Sequence, residues 1–440
     1  MARLALSLAM TPDTGSRSRP DLLAGALAAL TAFGAGATFA NILFGLPGLT
    51  RVRQQAPELG VLLIPTATAL AIMAILIVAQ RFFIPGYPVT ALGSFVSVWA
   101  LGFVDDLLGG PDMTGVWLVL VAAGGGAALA GLALASAGGF WQRLAIGIGL
   151  TAGLALNGKV NQMVTTQDRP PFTLALATCA LALVATAVVA RRGRSRFEVG
   201  PGVGAAVVTA VAGVAVMGAL LVRSMVVNDF GQVPVLDYVP DSGAVKYSLL
   251  AVAALVTALL AWYAARLGGP GLAYLPVLGF GLAAPMTPVA LGFSSVADTA
   301  WPVVAGAIVL AAVLGAFAML SYQLPWEVVG VLAAGGGLLQ ISTSTGATVH
   351  SEYLLTVCGG SFALAAGLVR AAGLRAGAAA AVLGLTTMML AAQALGPATM
   401  DALKLNLLAS SSQHAVLPSA ISAVVLVVLF ALSRAGRGTR

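Results

Sequence analysis

Val98-Trp99-Ala100-Leu101-Gly102-Phe103-Val104-Asp105-Asp106-Leu107-Leu108-Gly109 closes an apolar run that begins near residue 86, and its reading decides the fold. A run of about 20 apolar residues is the length at which an α-helix crosses the hydrocarbon core of a bilayer. The run stops on two adjacent carboxylates, in a chain of which only 8% of residues are charged. Carboxylates are costly in a bilayer unless a cation, a metal or a set of donors meets them. Asp105-Asp106 therefore marks a helix end at the membrane boundary, and a candidate site.

The rest of the chain repeats the pattern. It is 59% hydrophobic with a mean hydropathy of +0.99, where soluble domains are about 45–50% apolar and about 25% charged. Apolar runs fall near 22–45, 59–80, 86–106, 115–136, 141–157, 172–190, 202–226, 247–265, 270–293, 301–320, 327–345, 353–371, 376–395 and 414–433. Since one or two of them could be re-entrant, the expectation is an all-α polytopic membrane protein with about 12–14 transmembrane helices. The 53 glycines suit close helix–helix approach in lipid. Gly124-Gly125-Gly126 and Gly335-Gly336-Gly337 read as packing sites or helix breaks.

Charge sets orientation. Of the 22 Lys and Arg, alternating loops place 15 on one side, Arg143, Arg191, Arg266, Arg370 and Arg434 among them, and 7 on the other. The positive-inside rule then puts both termini in the cytoplasm and the protein, multi-pass, in the plasma membrane. The expected organisation is a cytoplasmic tail at 1–20, a first bundle at 21–227, an acidic external loop at 228–246, a second bundle at 247–433 and a basic tail at 434–440. The external loop carries Asp229, Asp237 and Asp241. The formal charge of +7 signals topology rather than nucleic acid, because basic and aromatic residues do not interleave. Cys179 and Cys358 both lie in apolar runs and read as small buried hydrophobes, with no disulfide framework or zinc spacing. Walker A, Gly-x-Ser-x-Gly and His-Glu-x-x-His sequences are absent, and His350 and His414 are the only histidines.

Asp105 and Asp106 could bind Mg²⁺ and offset a diphosphate charge, or be a solvated helix end before the Gly109-Gly110-Pro111-Asp112 turn. Gly102-Phe103-Val104-Asp105-Asp106-Leu107-Leu108-Gly109 resembles the Asp-Asp motif of the polyprenyl-phosphate N-acetylhexosamine-1-phosphate transferase family. Leu156-Asn157-Gly158-Lys159-Val160-Asn161 and then Asp168-Arg169-Pro170 stand where that family has its Asn- and Asp-containing loop. The resemblance implies transfer of a sugar-1-phosphate from a UDP-sugar to polyprenyl phosphate with Mg²⁺. Asp105 and Asp106 would bind metal or activate the lipid phosphate. Asn157, Asn161 and Asp168 would contact metal or nucleotide, and Lys159 the diphosphate. The later Gly-Asp stretch of the family has only Val199-Gly200-Pro201-Gly202-Val203-Gly204 as a counterpart, without a carboxylate, and 113–136 holds no Lys or Arg. The expected function is thus a divergent transferase-like protein of cell-envelope glycan synthesis, active or inactive.

The alternative is a multi-pass transporter or lipid-linked-glycan flippase. Its candidate residues are Glu327, at a helix start after Leu324-Pro325-Trp326, and the His350–Glu352 pair after Ser342-Thr343-Ser344-Thr345. Glu327 reads either as an anion placed on the helix dipole or as a proton or ion site in a cavity. His350 and Glu352 read as a proton relay or a wet boundary. A membrane scaffold is a third reading.

Overall fold

Size rather than polarity tells the faces of these helices apart. In Trp301–Ala318 the large Val303, Leu310 and Leu314 point outward, while Ile308, Ala312, Gly315 and Ala316 are buried. In Gln413–Gly438 the outward residues include Val424, Val428 and Leu432, and Ser419, Ser422, Ala423 and Leu426 are buried. A soluble helix sorts polar from apolar; a helix in lipid turns its bulk outward and its small residues toward neighbours.

The computed structural model describes residues 22–43, 86–102, 140–164, 172–191, 243–268, 270–290, 301–319, 324–343, 350–372 and 413–438, with parts of 123–135 and 384–391 and residues 68, 72 and 120. The helices are α1 (Leu22–Leu43), α2 (Gly86–Gly102), α3 (Phe140–Val164), α4 (Phe172–Arg191), α5 (Gly243–Gly268), α6 (Pro270–Ala290), α7 (Trp301–Ala318), α8 (Trp326–Thr343), α9 (His350–Ala372) and α10 (Gln413–Gly438). Trp301–Ala318, Tyr353–Ala371 and Val416–Arg434 are each long and apolar enough to cross a bilayer. The middle one is 72% buried against 22% and 28% for the others, so α9 is central and α7 and α10 face lipid. The protein is an integral, multi-pass, all-α membrane protein.

Glycines set the helix spacing. A Cβ on Gly149 or Gly153 of α3 would collide with the carbonyl of Ala29 or Phe33 of α1. Because 149 meets 29 and 153 meets 33, the two helices run parallel. On α8, a Cβ at Gly330 would lie 2.7 Å from the Gly359 carbonyl of α9, in an antiparallel pair. Gly335, with its two glycine neighbours, sits inside α8, and its Cβ would approach that of Ser419 on α10 to 2.7 Å. The triplet does not break the helix, and Gly335 is its packing contact, since a Cβ on Gly336 would meet nothing within 4 Å. Hydroxyls add polar clasps. Ser419 Oγ donates to Gly281 O at 2.7 Å and Ser422 Oγ to Val277 O at 2.8 Å, joining α10 to α6 in antiparallel order. Thr90 Oγ1 reaches Ala128 O at 3.2 Å, and the free thiol of Cys179 reaches Ala91 O at 3.5 Å.

The neighbour relations repeat. Counting apolar runs from residue 22 and again from residue 270, the first packs on the fifth (α1 on α3; α6 on Gly384 and Met388). The first also packs on the sixth (α1 on α4; α6 on α10), and the third on the sixth (α2 on α4; α8 on α10). The third meets the fourth in both (Gly93 on Ala128; α8 on α9). Each bundle is thus built on the same plan. α5 stands outside that plan, against α6 and α10, and α3 touches α6, α7 and α9 across the seam between the bundles.

Several helix ends differ from the sequence expectation. α3 continues to Val164, so Asn157, Lys159 and Asn161 lie on its last turns and not in a loop. Backbone hydrogen bonding carries a helix past the point where apolar side chains stop. α10 likewise continues to Gly438 through the basic Arg434 and Arg437, and α5 already starts at Gly243, inside the expected external loop.

Gly149→Val should lower the thermal unfolding midpoint in detergent, because overpacking costs about 1–3 kcal/mol. Gly306→Ala, where a Cβ meets nothing within 4 Å, should be neutral or stabilising by up to about 1 kcal/mol. Equal midpoints for the two variants would contradict the packing account.

Candidate functional site

The first turn of α8 and the last turn of α9 each carry one charged residue, Glu327 and Arg370. Each charge is on the end its helix dipole favours, an anion at the N-terminus and a cation at the C-terminus. The antiparallel pairing of α8 and α9 brings them together. Arg370 Nη2 donates to Glu327 Oε2 at 3.0 Å, and Nε donates to Oε1, a bidentate fork. Glu327 is fully buried, and the Arg370 side chain is 13% exposed. Two further elements close around the guanidinium. It lies 4.7 Å from the ring centroid of Tyr274 on α6, and its Nη2 is 3.7 Å from Sδ of Met319, just past α7. Tyr274 and Met319 are each 2% exposed.

The ion pair borders the seam. Met319 and Val369 belong to a buried apolar cluster with Ala312 and Ala316 of α7, Ala365 and Ala366 of α9, and Leu144 of α3, against which Ile148 packs. The cluster ties the first bundle to the second beside Arg370. Its members are apolar, whereas the clasps named above join helices within one bundle.

This end of the molecule is also the basic one. α3 starts here, since Leu144 shares the apolar cluster with Met319 and Val369 and a Cβ on Gly147 would lie 3.0 Å from Val369, and so Arg143 is here. One residue separates the end of α5, with Arg266, from the start of α6. The Ser422–Val277 and Ser419–Gly281 bonds bring the end of α10, with Arg434, to the same level. α2 begins here too, because Gln142 Nε2 donates to Tyr87 Oη at 2.9 Å. α2 and α3 therefore both finish at the opposite end. Asn157, Lys159 and Asn161 lie on the α3 turns at that far end, away from Glu327. Asp105, Asp106 and Asp168, and the Mg²⁺ expected at the first two, lie outside the described residues. His350 and Glu352 are in the first turn of α9. Twenty residues of helix, about 30 Å, separate His350 from Arg370, so Glu327, His350 and Glu352 do not form one site. Among the described residues no three His, Cys, Asp or Glu side chains come together as a metal site.

Sequence reasoning singled out Glu327 but missed Arg370, Tyr274 and Met319. A signal was present: consecutive antiparallel spans place the start of one beside the end of the next. A lone acid and a lone base at those two ends are then partners.

Neither a family model nor a curated protein matches the sequence. Solved structures do match the fold. A peptide transporter POT in complex with sulfate superposes with a TM-score of 0.54 at 13% identity, over 99% of this chain and 98% of that one. A POT family transporter in complex with 5-aminolevulinic acid gives 0.52 at 12% identity, over 96% and 98%. The fold is shared along nearly the entire chain. That corrects the transferase reading, which rested on eight residues near the end of α2 and on an Asn-containing loop that is in fact helix.

Glu327→Ala and Arg370→Ala should each destabilise the protein by about 3–5 kcal/mol, because each strands a buried charge. Glu327→Leu with Arg370→Met should cost far less than the two single losses summed. Thermal unfolding of the four proteins in one detergent checks this, and strict additivity would count against a buried pair.

Proposed function

We propose that this protein is a membrane transporter whose two helix bundles expose a path to one side of the bilayer and then to the other, turning about the α3 seam. The repeated neighbour plan carries the reading. Both sets of helices begin at the same end, α1 alongside α3 and α6 beside Arg370, so the repeats are related by an axis along the membrane normal. Parallel repeats of that kind are one of the plans on which transporters are built. The full-length likeness to peptide transporters supports it further.

The chemistry fits such a motion. Hydroxyl-to-carbonyl clasps and the Glu327–Arg370 fork hold helices together inside a bundle. Across the seam, Leu144 and Ile148 of α3 share an apolar cluster with Val369 and the alanines of α7 and α9, contacts that can slide without stranding a polar group. Following the positive-inside rule, the end with Arg143, Arg266, Arg370 and Arg434 faces the cytoplasm, with both termini.

Spin labels test the reading in a background with Cys179 and Cys358 replaced by serine. One pair, Leu22→Cys with Leu324→Cys, reports the basic end; the other, Val160→Cys with Leu417→Cys, reports the far end. The expected outcome is two distance populations at each end, shifting in opposite directions when pH or added solute changes. One narrow population at both ends under every condition would mean a static scaffold.

A further inference from the structure

The helices that meet at the seam carry no charge through the bilayer. Asp, Glu, Lys, Arg and His are absent from 144–158, 267–297, 299–326 and 353–369, the stretches that take α3, α6, α7 and α9 across it. None of the four helices breaks at mid-depth to aim a terminus there instead. What stands at that depth is a pair of stranded hydroxyls. Thr151 Oγ1 of α3 and Ser361 Oγ of α9 are fully buried and make no hydrogen bond among the described residues. Buried hydroxyls nearly always make one. Thr151 lies eleven residues past Phe140, and Ser361 eleven past His350. Each is thus about 17 Å along its helix, halfway across a hydrocarbon core of about 30 Å.

Both belong to the same stretch of seam. A Cβ on Gly147 of α3 would lie 3.0 Å from Val369 Cγ2, and 3.9 Å from both Leu368 Cβ and Ala365 O of α9. Thr151 is one turn past Gly147, on the stripe that Leu144 and Ile148 present to the second bundle. Ser361 is one turn before Ala365, on the stripe that Leu368 and Val369 present to Gly147. α3 starts at the end where α9 finishes. Both steps therefore lead about 6 Å in one direction, from that contact toward the bilayer centre.

We infer that Thr151 and Ser361 hold an uncharged polyhydroxyl solute, a sugar or sugar alcohol, when the seam opens at this level; the inference rests on the transporter reading. An ionic or zwitterionic solute would lose its hydration here and meet no counter-charge. A hydroxyl donates one hydrogen bond and accepts two, so a solute bearing hydroxyls satisfies both side chains. The closed seam strands these two groups and an open one returns them to solute or water, so they also keep the closed state from being too stable.

Uptake of radiolabelled xylitol, glucose and the zwitterion dialanine by liposomes holding the purified full chain is the test. Wild type should take up at least one of the two uncharged probes several-fold faster than protein-free liposomes, and dialanine at the protein-free rate. Thr151→Val and Ser361→Ala should each lower the uncharged uptake roughly tenfold at low solute, the scale of one lost hydrogen bond. Their thermal unfolding midpoints should hold or rise, because each removes a stranded group; a purely structural role would lower them. Thr186→Val on α4, whose hydroxyl bonds Ala182 O of its own helix at 2.7 Å, should leave uptake unchanged. Dialanine uptake above the protein-free rate, or uncharged uptake that neither seam variant alters, would overturn the assignment. So would failure of both uncharged probes to enter while the spin-label distances still shift; static distances would remove the transporter reading itself.

Discussion

Everything in this fold depends on how closely two backbones can approach. In lipid, apolar side chains gain nothing by leaving one hydrocarbon for another, so helices associate through van der Waals contact and a few hydrogen bonds. Contact of that kind falls away within an ångström. Gly149 and Gly153 against α1, Gly315 against Phe362 and Gly330 against α9 provide it, each with a backbone or Cβ neighbour where its own Cβ would be. Close approach in turn puts a serine or threonine hydroxyl within reach of the next helix's carbonyls, as at Ser419 and Ser422. The polar clasps are thus a consequence of the glycines.

That constraint explains what the sequence disclosed and what it concealed. Hydropathy alone located the spans well where a helix is apolar to its ends: the run at 301–320 is Trp301–Ala318, and 270–293 is Pro270–Ala290. It failed where a helix continues into polar residues. Asn157, Lys159 and Asn161 extend α3, and Arg434 and Arg437 extend α10, because a helix ends where its backbone bonding ends. The duplication of the bundle was hidden for a different reason. What repeats is which helix neighbours which, and any small residue at the contact satisfies it: Gly149 and Gly153 between α1 and α3, Gly279 and Gly384 in the corresponding place.

The candidate site shows the same division. An eight-residue motif at Asp105-Asp106 drew attention through its chemistry, but a local motif carries no information about the whole. Glu327 was visible as a charge out of place. Its meaning needed a partner 43 residues away, together with two neighbours from other helices. Tyr274 and Met319 surround Arg370 only because α6 and α7 pack against α9. Neither residue is chemically unusual in its own segment.

Among the arginines at the basic end, Arg370 stands apart. Arg266 and Arg434 are exposed and lie over aromatic rings of their own helices, an arrangement that leaves the charge within reach of water and headgroups. Arg370 is drawn inward to a buried carboxylate. If the only requirement were cohesion, apolar residues of the same volume would do as well or better. What an ion pair adds is direction: it fixes the start of α8 to the end of α9 in one register, and it weakens when water reaches it. That combination suits a junction lying next to an apolar seam: it holds two helices of the second bundle in register where that bundle meets α3.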